Sequence, residues 1–443
     1  MQITSREEAI AWLYSRVDYE RMSPSLTASD FKLDRMRNLL RCLGNPQENV
    51  PVVHIAGTKG KGSTAAVISS ILQEADYSVG LFSSPHIDRF EERIRVSGRD
   101  ISEEGLIALV NRLAGVAQGI DATGQGLSPT FFELTTALAW LWFCECQVDI
   151  AVLEVGLGGR LDSTNICNPE VSVITTISRD HTHILGTRLS EIAREKAGII
   201  KSRIPVVTGV ADAESLMVIS EIAAGMDAAL TMVNPSGSRK DRDATGSPHH
   251  TGSPHHTGAA VGSRHQRQNV NVALAALVEL EQRGWKISKD AIERGLLAPA
   301  SPVRIERLSE NPTVIVDAAH NWISAGVLIE TIQDLPINGK RVLIFGTSRD
   351  KDVSGLCRRL YPHFDAIILS RYESSQRGIS IEALASLSSA VTDRPIHTRK
   401  DPADAWQAAL QVCPEDGLIC VAGSFILAAE IRRIVRGTRL DPA

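Results

Sequence analysis

The sequence has no long apolar run, no strong excess of one charge and no regular cysteine spacing, and each absence excludes a class of protein. The longest apolar stretch, Ala137–Cys144, is far too short to span a bilayer. The N-terminus carries acidic residues in place of the apolar core of a signal peptide. A formal net charge of −5 offers no basic surface to nucleic acid or to an anionic membrane. These features predict a cytoplasmic protein.

The seven cysteines are scattered along the 443 residues of the chain. Cys144 and Cys146 have one residue between them, which is too close for a CxxC pair. Such scatter is typical of reduced thiols in a cytoplasmic enzyme. The chain is also longer than one ordinary hydrophobic core covers, so we expect two or more domains.

Strand-like and helix-like segments alternate through almost the whole chain. Apolar, β-branched strands that alternate with helices are typical of parallel sheets covered by helices on both faces. The pattern therefore predicts the α/β fold class. The predicted strands are Val148–Val155, Val171–Ile177, Ile204–Thr208, Thr313–Val316, Arg341–Phe345, Ala366–Leu369 and Leu418–Val421, and the predicted helices include Thr135–Cys144, Asn269–Glu281, Ser324–Asp334 and Ile426–Val435.

A glycine-rich turn joins a β-branched run, Val52–Ala56, to a helix with apolar periodicity, Ala65–Leu72. Strand, turn and helix in this order direct unpaired backbone N–H groups and the positive end of the helix at a phosphate. Lys61 is placed to reach the outer phosphates, and Ser63 or Thr64 could bring a hydroxyl close to Mg²⁺. The sequence therefore predicts a nucleotide-binding loop.

This loop departs from the general phosphate-loop pattern in two ways. Only two residues separate Gly57 from Gly60, and Gly62 follows the lysine where that pattern has Ser or Thr. A glycine-rich turn can also be a purely structural turn. The strand, lysine, hydroxyls and helix together favour nucleotide binding.

Further polar residues follow two other predicted strands. Glu154 ends one strand and precedes several glycines, at the sheet edge where α/β folds bind ligands. A carboxylate there can hold Mg²⁺ directly or through water, although a surface acid at a strand end is the alternative. His181 follows another strand and is expected at the same edge, but a lone histidine is more often structural than a metal ligand.

The segment Asn234–Ser263 breaks the alternation because it is rich in Gly, Ser, Pro, Asp and His. A six-residue unit occurs twice within it, at Thr245–His250 and Thr251–His256. The four histidines of this repeat could bind a transition metal. The lack of apolar residues favours the alternative, a flexible, solvated insert at about residues 234–263.

Eight short motifs follow one another within Arg35 to Arg436: Gly57–Ser63 (GTKGKGS), Ser83–His86 (SSPH), Glu154–Asp162 (EVGLGGRLD), Asp180–Thr182 (DHT), Arg194–Ile199 (REKAGI), Asp317–Asn321 (DAAHN), Arg349–Asp352 (RDKD) and Gly423–Ser424. In this order they resemble the signatures of folylpolyglutamate synthases, a family that includes bifunctional dihydrofolate synthases and belongs with the Mur-type amide ligases. Each motif is moderately specific, and their joint order is very specific. Gly62 is itself a trait of this family.

The resemblance implies an ATP-dependent ligase that joins a carboxylate to the amine of L-glutamate and splits ATP to ADP and phosphate. Its acid substrates would be reduced folates, with dihydropteroate as a further substrate in bifunctional members. The γ-phosphoryl group first moves onto the carboxylate, and the glutamate amine then attacks the acyl phosphate. Two Mg²⁺ ions are implied. We expect a monomer that acts on small molecules and binds neither nucleic acid nor membranes.

Two other functions stay open at this point. One is a Mur-type ligase that acts on a UDP-sugar peptide, which Gly62 and Ser83–His86 argue against because Mur peptidoglycan ligases have Ser or Thr after the lysine. The other is a nucleotide-binding switch without ligase chemistry, which any phosphate loop permits.

The resemblance also assigns residues to ATP, to the metal ions and to the pterin. Lys196 matches a lysine that carries a carbamate formed with CO₂, an anion able to hold a second Mg²⁺; an ordinary surface lysine is the alternative. Phe131 and Phe132 could flank a flat pterin ring, but we expect at least one of them to pack in the core. The phosphate-binding residues would be Gly57, Thr58, Lys59, Gly60, Lys61, Gly62 and Ser63, and the metal ligands Ser84, Glu154, His181 and Lys196. The pterin-binding residues would be Ala28, Ser29, Asp30, Phe31, Thr130, Phe131, Phe132, Glu133, Leu161, Asp162 and Ser163.

Four residues further along the chain complete the implied site. Asn269 would lie near the adenine, Arg304 would reach a phosphate and Asp317 the ribose. His320 would lie where glutamate docks, and it joins Lys61 and Lys196 as a catalytic residue. The alternatives for the last three are a surface arginine, an acid in a strand-end turn and a capping histidine.

Three positions depart from the family pattern without removing a predicted metal ligand. Lys59 stands where Asn is commoner, and its side chain could simply point into solvent. Ser301–Arg304 differs from the usual Pro-Gly-Arg, and Trp322 stands where Pro commonly follows His-Asn.

We expect two domains from the resemblance. Residues 1–298 would form a phosphate-loop domain that binds ATP and pterin on a mainly parallel sheet. Residues 299–443 would form a smaller Rossmann-like α/β domain for glutamate ligation, joined to the first near Leu297–Pro302. Site residues from both halves imply closure of the domains around ATP.

Overall fold

The fold is taken from a computed structural model of the chain. The structure describes residues 2–18, 32–86, 89–233, 239–242, 248–249, 264–297, 303, 305–349, 351–372 and 378–437. The chain divides into two compact units, Met1–Ala298 and Pro299–Ala443. Each unit is built on one largely parallel sheet, so the predicted α/β class is confirmed.

The sheet of the first unit has its parallel strands in the middle and antiparallel strands at both edges. Its order is β10-β9-β8-β7-β6-β1-β5-β2-β3-β4. In the described ranges the strands are β1 (Val52–Ala56), β2 (Val79–Phe82), β3 (Ile94–Val96), β4 (Arg99–Asp100), β5 (Ile150–Glu154), β6 (Val171–Ile174), β7 (Val206–Thr208), β8 (Leu230–Val233), β9 (Arg239–Arg242) and β10 (Pro248–His249).

Helices cover both faces of this sheet and bury separate apolar clusters against it. Successive residues of β1 show the alternation, since Val52 belongs to one cluster while Val53 and Ile55 belong to the other. The helices of this unit are α1 (Arg6–Tyr14), α2 (Leu33–Cys42), α3 (Lys61–Glu74), α4 (Glu103–Ala122), α5 (Phe131–Glu145), α6 (Thr182–Leu185), α7 (Leu189–Ala197), α8 (Ala213–Gly225), α9 (Arg264–Gln282) and α10 (Lys289–Leu296).

The second unit has a sheet of order β11-β12-β16-β13-β14-β15, in which only the pairing of β11 with β12 is antiparallel among the described strands. The strands are β11 (Glu306–Glu310), β12 (Thr313–Val316), β13 (Arg341–Phe345), β14 (Ala366–Leu369), β15 (Ile396–Thr398) and β16 (Leu418–Ala422). The helices are α11 (Trp322–Gln333), α12 (Val353–Leu360), α13 (Ile381–Ser389), α14 (Pro402–Val412) and α15 (Phe425–Arg436).

The insert at residues 234–263 lies mostly outside the described residues, including most of the histidine repeat. Two short strands within it are described, and they differ from the flexible loop that the composition predicts. The strand β9 pairs antiparallel with β8, and β10 pairs with β9. Polar residues can form an edge strand because the ladder uses backbone groups, which composition alone does not reveal.

The longest apolar stretch of the sequence lies within α5, which packs in the core of the first unit. Among the described helices, none combines the length and the apolar character that a bilayer crossing requires.

Candidate active site

The phosphate loop and the predicted metal ligands Ser84, Glu154 and His181 lie at the ends of four neighbouring strands, in the order β6-β1-β5-β2. These strands run parallel, so their carboxyl ends meet at one edge of the sheet. The phosphate loop follows β1, Glu154 ends β5, Ser84 follows β2, and Asp180 and His181 follow β6. Because β1 has later strands on both sides, this edge is the kind of switch point where α/β sheets bind ligands.

The phosphate loop adopts conformations that require glycine. Gly57 and Gly60 have φ angles of 150° and 85°. A Cβ atom at Gly57 would lie 1.9 Å from the Thr175 hydroxyl, and one at Gly60 would lie 2.2 Å from Oδ1 of Asn269. The structure therefore places Asn269, on α9, directly against the loop. The helix α3 begins at Lys61, so the N–H groups of its first turn face the phosphate loop.

The segment after β6 holds the loop in place through hydrogen bonds that the sequence analysis missed. The Thr58 N–H donates to the Thr176 carbonyl (2.7 Å), and the Lys59 N–H donates to the Thr176 hydroxyl (3.0 Å). The Thr175 and Thr176 hydroxyls donate to the Lys59 carbonyl, at 2.7 and 3.0 Å. The Ser178 N–H donates to the Thr58 hydroxyl (3.0 Å). Polar residues at the end of an apolar strand were the available signal in the sequence.

Lys61, Glu154 and Ser84 lie together beside the start of α3. The Lys61 ammonium lies 3.9 Å from Oε1 of Glu154, and both side chains are largely buried. The Ser84 N–H donates to Oε2 of Glu154 at 3.4 Å. A Cβ atom at Gly62 would lie 3.2 Å from the same oxygen, so a residue larger than glycine would crowd the carboxylate. This contact gives a physical reason for the glycine after the lysine.

The Lys59 side chain does not point into solvent, in contrast to the possibility raised by the sequence. Its ammonium lies 3.2 Å from Oδ2 of Asp180, and both side chains are mostly buried. His181 follows with a left-handed backbone (φ 49°), and its Nε2 lies 3.9 Å from the other Asp180 oxygen. The His181 side chain is half exposed, which is compatible with a ligand that reaches it from solvent.

Lys196 is a buried lysine, not a surface one. It lies near the end of α7 with only 5% of its surface exposed, and its ammonium donates to the Gly57 carbonyl at 3.0 Å. Burial, together with the positive charge of Lys61, lowers the pKa of Lys196 to about 7. The lysine thus lies against the phosphate loop and is poised between its charged and neutral forms near neutral pH.

The glycine-rich segment after Glu154, Val155–Asp162, is called the glycine loop here. It packs against α7 and so supports Lys196. A Cβ atom at Gly159 would lie 2.8 Å from the Glu195 carbonyl and 2.9 Å from the Lys196 carbonyl. The Arg160 N–H donates to the Glu195 carbonyl (2.7 Å). The motif Glu154–Asp162 therefore contributes both the Glu154 carboxylate and the surface on which α7 docks.

Thr130 and Glu133, two of the predicted pterin residues, cap α5. The Thr130 N–H donates to the Glu133 carboxylate (2.8 Å), and the Glu133 N–H donates to the Thr130 hydroxyl (3.3 Å). Arg35 also pairs with Glu133, at 2.9 Å. These bonds give both residues a structural role, whereas contact with a pterin stays a prediction. Ala28, Ser29, Asp30 and Phe31 lie outside the described residues.

The two adjacent phenylalanines have different environments. Phe131 is fully buried, stacked on Tyr14 with ring centroids 4.8 Å apart. This core packing is the role that we expected for at least one of the pair, and it leaves Phe131 no open face for a pterin. Phe132 is only partly buried, and its ring lies against Gly156, where a Cβ atom would be 2.4 Å from Cζ. Phe132 is therefore the phenylalanine beside the candidate site.

Asp162 and Ser163 are buried and bonded within the fold. Asp162 accepts hydrogen bonds from the Leu157 N–H (2.9 Å) and the Thr164 N–H (3.0 Å), and burial raises its pKa. The Ser163 and Thr136 hydroxyls are 2.9 Å apart. Both oxygens of Asp162 thus shape the glycine loop, while its contact with a pterin stays a prediction. Leu161 beside it is partly exposed.

In the second unit, Asp317 and His320 lie in the turn after β12. Asp317 accepts from the Ala319 N–H (2.7 Å) and from the Ile305 N–H (2.8 Å). His320 Nδ1 donates to the Ala318 carbonyl (2.7 Å), which fixes the tautomer of the ring. Asn321 caps α11. The turn is thus rigidly built, and Arg304 lies outside the described residues.

The residues at the edge of the first sheet fit a magnesium ion in chemical type. Glu154 is a buried carboxylate beside a hydroxyl residue, Ser84, and beside the Lys61 ammonium. Carboxylate and hydroxyl oxygens are the ligands that Mg²⁺ prefers, together with water and phosphate. Within the ranges that the structure describes, no three His, Cys, Asp or Glu side chains are preassembled around a metal position.

Comparison with known families gives two matches that together span most of the chain. The Mur ligase middle domain matches residues 55–226, which include the phosphate loop, Glu154 and Lys196. The glutamate ligase domain of Mur ligases matches residues 303–425, which include Asp317 and His320.

Individual relatives match over nearly the full length. The dihydrofolate synthase/folylpolyglutamate synthase of Bacillus subtilis is 34% identical, over 97% of this chain and 99% of its own. The crystal structure of Mycobacterium tuberculosis folylpolyglutamate synthase complexed with ADP and AMPPCP superposes with a TM-score of 0.83 at 29% identity, covering 99% of each chain. A bifunctional folylpolyglutamate synthase/dihydrofolate synthase with Mn, AMPPNP and L-glutamate bound gives 0.79 at 29% identity, covering 98% of this chain and 99% of that one. The chain therefore belongs to the folylpolyglutamate synthase/dihydrofolate synthase family, ATP-dependent ligases built from Mur ligase domains.

Proposed function

We propose that this ligase adds L-glutamate to the carboxylate of reduced folates and also converts dihydropteroate to dihydrofolate. The observation that carries the proposal is the set of groups at one sheet edge: the phosphate loop, the buried Glu154 and the buried Lys196, whose ammonium contacts the Gly57 carbonyl. The names of the relatives support the choice of folates as the acid substrate.

The reaction must turn an unreactive carboxylate into an electrophile. A carboxylate oxygen attacks the γ-phosphorus, the bond to the β,γ-bridging oxygen breaks, and ADP leaves. The glutamate amine then attacks the acyl carbon, loses a proton, and expels inorganic phosphate. Such phosphoryl transfer needs positioning and charge neutralisation more than covalent help from the protein.

The phosphate loop supplies much of that positioning in the proposal. The N–H groups at the start of α3 and the Lys61 ammonium hold the β- and γ-phosphates. Lys61 also neutralises the negative charge that develops on ADP as the γ-phosphoryl group leaves. Ser63, one residue past Gly62, is partly exposed, whereas Thr64 is fully buried. Ser63 is therefore the better placed of the two hydroxyls to face the nucleotide.

The oxygen-rich residues of the edge would hold magnesium. Ser84, Glu154 and His181 would hold one ion, and a carbamate on Lys196 would hold the second. When bound, Mg²⁺ neutralises phosphate charge and polarises the γ-phosphoryl group. The Lys196 carbamate forms when the neutral amine attacks CO₂ and loses a proton, so its lowered pKa near 7 favours the modification.

The remaining assignments concern adenine, ribose and glutamate. Asn269 is proposed near the base because it packs against Gly60. Asp317 and Arg304 are proposed for the ribose and a phosphate, and His320 for the incoming glutamate, as the family resemblance implies. Phe132 is proposed for the pterin. We also propose a cytoplasmic monomer.

The test is ADP release measured with and without each substrate. ADP should appear only when ATP, L-glutamate and a pterin acid are all present. Lys61→Ala should abolish this release, whereas Lys289→Ala, an exposed lysine on α10, should leave it unchanged. A UDP-sugar peptide that replaced the pterin acid would favour the Mur-type alternative. ATP turnover that ignored both substrates would favour the switch and sink the proposal.

A further inference from the structure

One buried polar residue of the first unit has no role in the mechanism above. His54 lies in the middle of β1 among apolar neighbours and is fully buried. Its Nε2 is 2.9 Å from the Thr164 hydroxyl. Its Nδ1 is buried and has no hydrogen-bond partner among the described residues. A buried nitrogen without a hydrogen-bond partner destabilises the fold. A histidine at this position therefore calls for an explanation, and its one hydrogen bond, to Thr164, is the place to look for it.

The direction of each hydrogen bond is fixed by chemistry. The Thr164 hydroxyl also contacts Oδ1 of Asp162, and a carboxylate can only accept, so the hydroxyl donates there. The same hydroxyl must then accept from His54, which places the ring proton on Nε2. Burial lowers the pKa of His54 to about 3, so the ring stays neutral at physiological pH. The chain of donors therefore runs from His54 through Thr164 to Asp162.

This chain ends in the loop that supports Lys196. Asp162 accepts the Leu157 N–H through its other oxygen, at 2.9 Å. Asn165, next to Thr164, donates to the Arg160 and Gly198 carbonyls, each at 3.0 Å. Gly198 directly follows the helix that carries Lys196.

These contacts form a closed circuit, which starts at His54 on β1 and returns to Gly57 in the turn after β1. Lys196 donates to the carbonyl of Gly57, three residues after His54. The circuit therefore runs from β1 through the glycine loop and α7 to the phosphate loop. It fixes where Lys196 and the glycine loop lie relative to the phosphate loop.

We propose that His54 is a positioning residue for ligation, which acts through Thr164 and Asp162 to hold the glycine loop and Lys196 against the phosphate loop. The inference rests on the proposed function. His54 touches no substrate. It sets the geometry in which the acid substrate meets the γ-phosphate.

Paired substitutions separate this role from simple packing. Thr164→Val keeps the shape but removes the hydroxyl, and Thr164→Ser keeps the hydroxyl. His54→Leu removes the donor, and His54→Gln keeps an N–H close to the position of Nε2. We expect kcat to fall roughly 10- to 100-fold in Thr164→Val and His54→Leu, as for lost supporting hydrogen bonds at active sites. Thr164→Ser and His54→Gln should recover most of that loss.

Two further measurements check that the variants are folded and that both act through one route. The ADP dissociation constant should stay unchanged in all four variants, because the phosphate loop keeps its own bonds to Thr175–Ser178. The double variant His54→Leu/Thr164→Val should lose no more kcat than either single variant.

If the wild type is active, an unchanged kcat in Thr164→Val would overturn this inference and leave the proposed function intact. Losses of kcat that multiply in the double variant would do the same. So would weakened ADP binding, or an equal loss of kcat in Thr164→Ser. A wild type without ligase activity would instead overturn the proposed function, and this inference with it.

Discussion

Single buried charges decide what the candidate site can do. The sequence indicated which side chains belong to the candidate site, but it could not show which of them are buried. Lys196 illustrates the difference, because a lone lysine is normally a surface residue, whereas here it is enclosed and contacts the phosphate loop. Phe131 and Phe132 illustrate it again, because Phe131 packs in the core while Phe132 is only partly buried, against Gly156. Helix periodicity alone does not show which of the two adjacent residues is the buried one.

Substitution of Lys196 should remove most of the activity. Lys196→Ala loses the proposed carbamate, so we expect kcat to fall roughly 100-fold or more, the scale of a lost charge-stabilising group. A short-chain carboxylic acid should partly restore turnover by occupying the space. Lys289→Ala is the matched control. Full activity in Lys196→Ala would end the assignment.

The buried lysine also predicts how stability depends on pH. The pKa of Lys196 is about 7 in the folded protein against 10.5 for an ordinary lysine, so between these values the unfolded chain binds the extra proton. Its contribution to the free energy of unfolding therefore rises with pH from about 7 to about 10, by at most about 1.4 kcal/mol per unit. Denaturation of the wild type and Lys196→Met should show the variant's advantage below pH 7 and its decline above. An advantage independent of pH would contradict the lowered pKa.

The ion pair of Lys59 with Asp180 joins the phosphate loop to the segment that carries His181. Lys59→Asn and Asp180→Asn should each destabilise the protein, and the double variant should lose little more than one single variant. For a partly buried pair we expect a coupling of about 0.5–1 kcal/mol from a double-mutant cycle of thermal unfolding. Additive losses would mean that the pair contributes nothing to the folded state.

At the scale of elements, the strands were largely predictable because buried parallel strands are continuous apolar runs. Six of the seven predicted strands coincide with or contain observed ones, and the seventh, Leu418–Val421, ends one residue before β16 does. The strands β9 and β10 could not be predicted, since their pairing uses backbone groups in a polar, glycine-rich sequence. The hydrogen bonds from Thr175–Ser178 to the phosphate loop also depend on strand order, which no local pattern encodes.

Two glycines test how tightly the elements of the site pack. At Gly159 a Cβ atom would lie within 3.0 Å of two carbonyl oxygens of α7, whereas at Gly115, within α4, it would meet open space. Gly159→Ala should therefore shift α7 and lower both stability and kcat, while Gly115→Ala should stabilise the protein by about 0.5–1 kcal/mol. Thermal unfolding and turnover of the two variants make the comparison. Equal behaviour of the pair would show that the loop does not carry α7.

At the scale of the whole molecule, closure of the two domains around ATP stays a prediction from the family resemblance. The turn with Asp317 and His320 belongs to the second unit, and the phosphate loop belongs to the first. We expect the radius of gyration from solution scattering to fall when ATP and dihydropteroate are added together, and to stay constant in Lys61→Ala. An unchanged radius in the wild type would count against closure.

The central claim is that the acid substrate receives the terminal phosphoryl group of ATP before glutamate attacks. The most direct measurement uses dihydropteroate labelled with ¹⁸O in its carboxylate, together with ATP and L-glutamate, and mass spectrometry of both products. The account predicts dihydrofolate and inorganic phosphate that carries one ¹⁸O atom from the carboxylate. Glutamylated product with unlabelled phosphate would contradict it.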